Sequence, residues 1–136
     1  AVSKWSFKLI HLIVRYVMRR EKKDMVGKTI TSIVLSNERD ELVLQFSDGS
    51  DMTLQAYGDC CSSTWIESID APDNLLGTVQ SVEDIDMPDL GNQPDHDVMS
   101  YYGLKIVTDR GHAVIDYRND SNGFYGGDLI IKEGSY

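Results

Sequence analysis

The sequence predicts an α+β fold that is mainly β: a bent antiparallel sheet, either a half-open barrel or a two-layer sandwich, with an N-terminal amphipathic helix and one short internal helix. Three observations carry this reading. β-Branched and alternating apolar residues crowd the chain after Met25, tight-turn dipeptides punctuate it, and residues 1–24 space their apolar side chains as a helix does. There is no strand-helix-strand alternation, no Walker-type loop and no GxGxxG turn, which removes the common nucleotide-binding folds.

Residues 1–24 form the first unit. Trp5, Leu9, Leu12, Ile13, Tyr16 and Val17 recur close to i, i+3, i+4 and predict a helix from Ser3 to Lys23. Its apolar run is shorter than the roughly 20 residues of a membrane span and is broken by Lys8, His11 and Arg15. The basic cluster follows the apolar run, and no small-residue cleavage site appears, so the pattern is not that of a signal peptide. The expectation is an arm that packs on the core or assembles with a second copy or a partner, with membrane contact disfavoured.

Residues 25–136 form the second unit, an acidic β-rich domain. Thr29, Ile30, Thr31, Ile33 and Val34 predict a strand over Lys28 to Ser36, and Leu42, Leu44 and Phe46 alternate within a second, Glu41 to Ser47. Asp48-Gly49 is a hairpin signal leading into a third, Ser50 to Tyr57. Ser63 to Ile69 reads as the short internal helix, with Ser62 or Ser63 as cap and Glu67 near its first turn. Thr78 to Asp86 is β-branched but spaces Val79, Val82 and Ile85 by three, so a strand is expected with a helical turn as the alternative. Met87 to Asp97 collects prolines and acids and reads as an exposed loop. Ser100 to Asp109 and His112 to Asn119, divided by Arg110-Gly111, form another hairpin, and Asp128 to Glu133 closes the chain.

At 136 residues and 41% apolar, the chain suffices for one core and is short for two. Its 13 basic and 22 acidic residues give a net charge of −9, which argues against direct nucleic-acid binding. The charge is divided. Lys4, Lys8, Arg15, Arg19, Arg20, Lys22 and Lys23 outweigh Glu21 and Asp24 to leave +5 on residues 1–24, so the rest carries −14. A basic apolar arm beside an acidic body favours self-association through the helix or assembly with a partner.

Two stretches stand out: Tyr57-Gly58-Asp59-Cys60-Cys61-Ser62-Ser63-Thr64-Trp65-Ile66-Glu67, and Arg118-Asn119-Asp120-Ser121-Asn122-Gly123-Phe124-Tyr125-Gly126-Gly127. Together they resemble a family of small uncharacterised proteins of bacteriophages, prophages and some bacteria that share a YGDCCSxxWIE block and a later NGxYGG block. The resemblance spans about residues 27–131 and leaves the arm outside. It implies a viral or mobile-element origin and brings no activity or catalytic residue with it. The implied setting is the host-cell cytoplasm or the virion.

Neighbouring Cys60 and Cys61 would close a strained ring if bonded, so an ordinary structural bridge is not expected and reduced thiols are. As a nucleophile, either would sit near the start of the Ser63 to Ile69 helix, whose positive end lowers a thiol pKa, with His96 and His112 as the available bases. The bland alternative is that both pack a turn. No metal is expected: adjacent cysteines do not easily share one zinc, and the acids from Asp84 to Asp97 lack a calcium-loop pattern. No cofactor is implied. Tyr57, Asp59, Trp65, Glu67, Arg118, Asn122 and Tyr125 are the candidate walls of a ligand pocket between the two blocks.

Three function classes follow. The first is a non-catalytic viral interaction protein that engages a host or viral protein, as an inhibitor of host defence or a part of an assembly. The second is a module that binds or sequesters a small, nucleotide-like molecule, for which Arg118 is the one cation beside a motif block. The third is a cysteine-dependent enzyme, which lacks an assigned base and oxyanion site.

Overall fold

A computed structural model of the chain describes residues 20–91, 98–123 and 126–132. Through them run β1 (Ile30–Leu35), β2 (Glu41–Phe46), β3 (Asp51–Gly58), β4 (Ser63–Asp70), β5 (Val79–Asp86), β6 (Val98–Thr108), β7 (Gly111–Ser121) and β8 (Gly127–Ile131). They form two four-stranded antiparallel sheets, ordered β1-β2-β3-β8 and β4-β7-β6-β5. The fold is therefore all-β, which corrects the α+β expectation. Among the described residues the helical pieces are single 3-10 turns at Lys22–Met25 and Pro72–Leu75.

The predicted N-terminal helix lies mostly outside the described residues. Its described part, residues 20–23, is not α-helical. Glu21 is extended, at φ −117° and ψ 161°, and its N–H donates to Asp24 Oδ2 at 2.7 Å, a reciprocal cap that starts a new short turn. That turn drives Met25 fully into the core.

The predicted internal helix is strand β4. Its i, i+3 spacing of Ile66 and Ile69 comes from a bulge: Ile66 pairs with Tyr117, Ser68 with Asp116 and Ile69 with Ile115, so Glu67 is the extra residue. The bulge restores the phase and keeps both isoleucines on the face of buried Ile115 and Tyr117. The Glu67 carbonyl accepts from the Arg39 guanidinium, which ties the β1–β2 turn to the bulge. The same device acts in β5. Val79 pairs with Thr108, Ser81 with Val107 and Val82 with Ile106, so a bulge at Gln80 produces the spacing of three between Val79 and Val82, while Ile85, opposite Gly103 in a regular register, falls on the other face.

The sheets share one apolar cluster. Leu42 and Leu44 of β2, Met52 and Leu54 of β3 and Leu129 of β8 meet Ile66 of β4, Leu104 and Ile106 of β6 and Ile115 of β7, all 0–1% exposed. The Asp48-Gly49 hairpin forms as the pattern predicts, with Gly49 at φ +87° donating to the Phe46 carbonyl at 3.1 Å.

Along the β6–β7 ladder the inward-facing pairs change character. Ile106↔Ala113 and Leu104↔Ile115 are core, Tyr102↔Tyr117 follows, and Ser100↔Asn119 and Val98↔Ser121 come last. One end of the interlayer space is thus dry and the other polar.

Candidate functional site: an acidic groove beside strand β8

The two sequence blocks meet at the polar end. The first carries the chain from β3 in one sheet to β4 in the other, and the second carries it back from β7 to β8. The crossings are stitched together by ladder pairs at both ends: Ser63↔Asp120, Thr64↔Asn119 and Trp65↔Arg118 on one side, Tyr57↔Asp128 and Gly58↔Gly127 on the other. Gly58 and Gly127 permit the close approach. A Cβ on Gly58 would lie 2.7 Å from Ser62 Oγ and 2.8 Å from Thr64 Oγ1, and one on Gly127 would lie 2.9 Å from Thr64 Cγ2. Beneath them Asn119, fully buried, donates from Nδ2 to Thr64 Oγ1 at 2.9 Å, while its Oδ1 has no hydrogen-bond partner among the described residues. Much of both blocks is therefore a structural joint.

The predicted site residues divide into three places. Trp65, Glu67 and Arg118 gather on the outer face of the β4-β7-β6-β5 sheet. Trp65 Nε1 donates to Glu67 Oε2 at 2.8 Å, and Arg118 pairs with Glu67 at 3.7 Å and Asp116 at 3.4 Å while lying 5.1 Å over the Tyr101 ring. The guanidinium already faces two carboxylates, so an incoming phosphate would meet their repulsion. Tyr57 and Asp59 lie elsewhere, in a hollow of about 370 Å³ with Gly126, Gly127, Asp128 and Ile130. Asn122 is exposed beyond β7, and Tyr125 lies outside the described residues.

Cys60 and Cys61 occupy the centre of the tight Asp59–Ser62 turn, both exposed and unbonded. The helix whose positive end was to activate them is a strand, and the Cys61 thiol is instead pushed up, first by its hydrogen bond with Cys60 and then by burial. His112 stands at the far end of β7 from Asp120, which flanks the turn. At roughly 3.3 Å per residue the two are about 26 Å apart, so His112 does not serve these thiols as a base. His96 lies outside the described residues. Among the described residues no group of three His, Cys, Asp or Glu side chains is placed to hold a metal ion.

A second hollow, of about 340 Å³, adjoins the first. Asp84, Ile85 and Asp86 of β5, Tyr102 and Gly103 of β6, Tyr117 of β7 and Gly127 and Asp128 of β8 line it. Gly127 and Asp128 line both, so the two hollows adjoin at strand β8 and make a groove of two parts. Its carboxylates are Asp59, Asp84, Asp86 and Asp128. Its aromatic wall is Tyr57 on one side and, on the other, the stacked pair Tyr102 and Tyr117, with centroids 5.1 Å apart. The Gly127 N–H donates to the Tyr102 hydroxyl at 3.3 Å and fixes β8 to that wall. Lys22 Nζ sits 3.4 Å from Asp128 Oδ1, so a cation of the chain itself already rests on the rim. Asp84, Asp86 and Asp128 were not singled out as one site from the sequence, because they meet only through the sheet topology. Aromatic faces beside carboxylates suit an ammonium or guanidinium group.

Fold and groove define an all-β two-sheet domain with a double crossover joint and an acidic, tyrosine-lined edge. The chain belongs to the family described as domain of unknown function DUF7448, which matches residues 23–131. No curated protein and no solved structure matches it.

Proposed function

We propose that this protein is a non-catalytic interaction module that takes a lysine or arginine side chain of a partner protein into the groove beside β8. The observation that carries the reading is the groove itself: four carboxylates around two adjoining hollows, backed by stacked tyrosines. A buried cation between carboxylates and aromatic faces gives specificity, and the acidic body steers a basic partner toward it. The resemblance to phage and prophage proteins points to a host or viral protein as that partner, with inhibition of host defence or incorporation into a viral assembly as the consequence. The nucleotide-binding alternative is weakened by Arg118, whose charge is taken by Glu67 and Asp116.

The test is affinity capture from host or infected cells with the wild-type chain and with Asp84→Asn/Asp86→Asn, whose side chains are exposed and whose replacement leaves the core untouched. A protein held stoichiometrically by the wild type and lost, or weakened about tenfold or more, with the variant supports the reading. Equal retention by both, or recovery of a small anion alone, overturns it.

A further inference from the structure

The Asp59–Ser62 turn holds a feature that the groove does not use. Cys60 Sγ and Cys61 Sγ lie 2.8 Å apart, well inside ordinary sulfur contact and less than an ångström from the ~2.05 Å of a disulfide bond. The turn is pinned from outside: Ser62 donates to the Asp59 carbonyl through its N–H at 3.1 Å and its hydroxyl at 2.7 Å. Cys61 holds φ +72°, a left-handed conformation that non-glycine residues rarely adopt. Both thiols are exposed, so a small disulfide reaches them without unfolding.

We propose that Cys60 and Cys61 form a reversible thiol–disulfide modification site, closing to an intramolecular disulfide by exchange with a small-molecule disulfide of the glutathione type. One cysteine thiolate attacks a sulfur of oxidised glutathione, forming a mixed disulfide and expelling one glutathione thiolate. The neighbouring thiolate then attacks the protein sulfur of that mixed disulfide and expels the second. The protein pair is oxidised by two electrons, glutathione disulfide is reduced to two thiols, and the two cysteine protons end on those thiols. The hydrogen bond with Cys60 raises the Cys61 thiol, which therefore holds its proton more tightly than a free thiol does.

The ring is a labile one. Neighbouring Cα atoms across a trans peptide are about 3.8 Å apart, below the ~4.4–6.8 Å usual for disulfides, so the bond is strained and readily reduced. An exposed, strained disulfide is the reversible kind, unlike a structural bridge.

The experiment incubates the native 136-residue chain with oxidised glutathione and reads intact mass and free thiols. The expected result is loss of both thiols at one rate, as a monomer lighter by two hydrogens, with full return on adding dithiothreitol. Cys61→Ser and Cys60→Ser are each expected to stop at a stable single glutathione adduct. Persistent glutathione adducts on the wild-type chain, disulfide-linked dimers, or two thiols that survive while the single variants react would each overturn the proposal. Failure of the wild type and both variants to react overturns it as well.

Discussion

Tyr102 and Tyr117 face each other across the β6–β7 ladder with ring planes inclined by only 16°. The pair marks the boundary between two environments. On one side its neighbours are Leu104 and Ile115, both within 1% of complete burial, and on the other they are Ser100 and Asn119. The stacked rings seal the core and at the same time make the wall of the acidic groove, where carboxylates from β5 and β8 approach them.

This position makes Tyr117 sensitive to alkali. Burial, then the carboxylates of Asp128 and Asp84, push its hydroxyl above the ordinary 10.0. A raised folded-state pKa means the folded protein holds this proton more tightly than the unfolded chain does. Its stabilising effect is complete below pH 10.0 and is lost as pH rises beyond that. Tyr117→Phe has no such proton, so its stability is expected to fall less between about pH 9 and about pH 11. Urea unfolding of both proteins at the two pH values checks this, and parallel declines would contradict it.

The crossover joint predicts a coupled pair. A Cβ on Gly127 would strike Thr64 Oγ1, with Thr64 Cγ2 at 2.9 Å and Asn119 Cβ at 3.1 Å. Gly127→Ala is expected to destabilise the protein by about 1–3 kcal/mol. In a Thr64→Ala background two of those three atoms are gone, and the added cost of Gly127→Ala is expected to shrink by at least half. Equilibrium unfolding of the four proteins measures the coupling, and additivity within about 0.5 kcal/mol would show that no clash links the sites.

On the outer face, Arg118 holds two carboxylates together. Its side chain is 19% exposed and that of Asp116 17%, and Asp116 Oδ1 has no hydrogen-bond partner among the described residues. Arg118→Ala strands a mostly buried carboxylate, with an expected loss of about 2 kcal/mol. Asp116→Asn in the same background should return a good part of it. Thermal denaturation of the single and double variants reads this directly, and a double variant as weak as Arg118→Ala would remove the electrostatic explanation.

Where two-residue alternation ran unbroken, as through Leu42, Leu44 and Phe46, the strand was legible in the sequence. It was lost where a bulge inserted a residue. Glu67 shifts Ile66 and Ile69 to a spacing of three, and the strand then reads as a short helix with serine caps. Gln80 does the same, less completely, to Val79 and Val82. The two blocks were visible as unusual, and Trp65, Glu67 and Arg118 do meet. Their distance from the Tyr57 and Asp59 hollow follows from the pleat and the crossing between sheets, which no local pattern encodes. Asp84 and Asp86 read in one dimension as a solvated acidic stretch. Only the approach of β8 makes them, with Asp128, the wall of a groove.

The most direct test of the groove is a backbone-amide NMR titration of the chain with a short arginine-rich peptide at low salt. The account predicts saturable shifts concentrated at Asp84, Asp86, Tyr102, Gly127 and Asp128, abolished by Asp84→Asn/Asp86→Asn and weakened by added salt. Shifts centred on Trp65, Tyr101 and Arg118, or spread evenly over the acidic surface and unchanged in the variant, would contradict it.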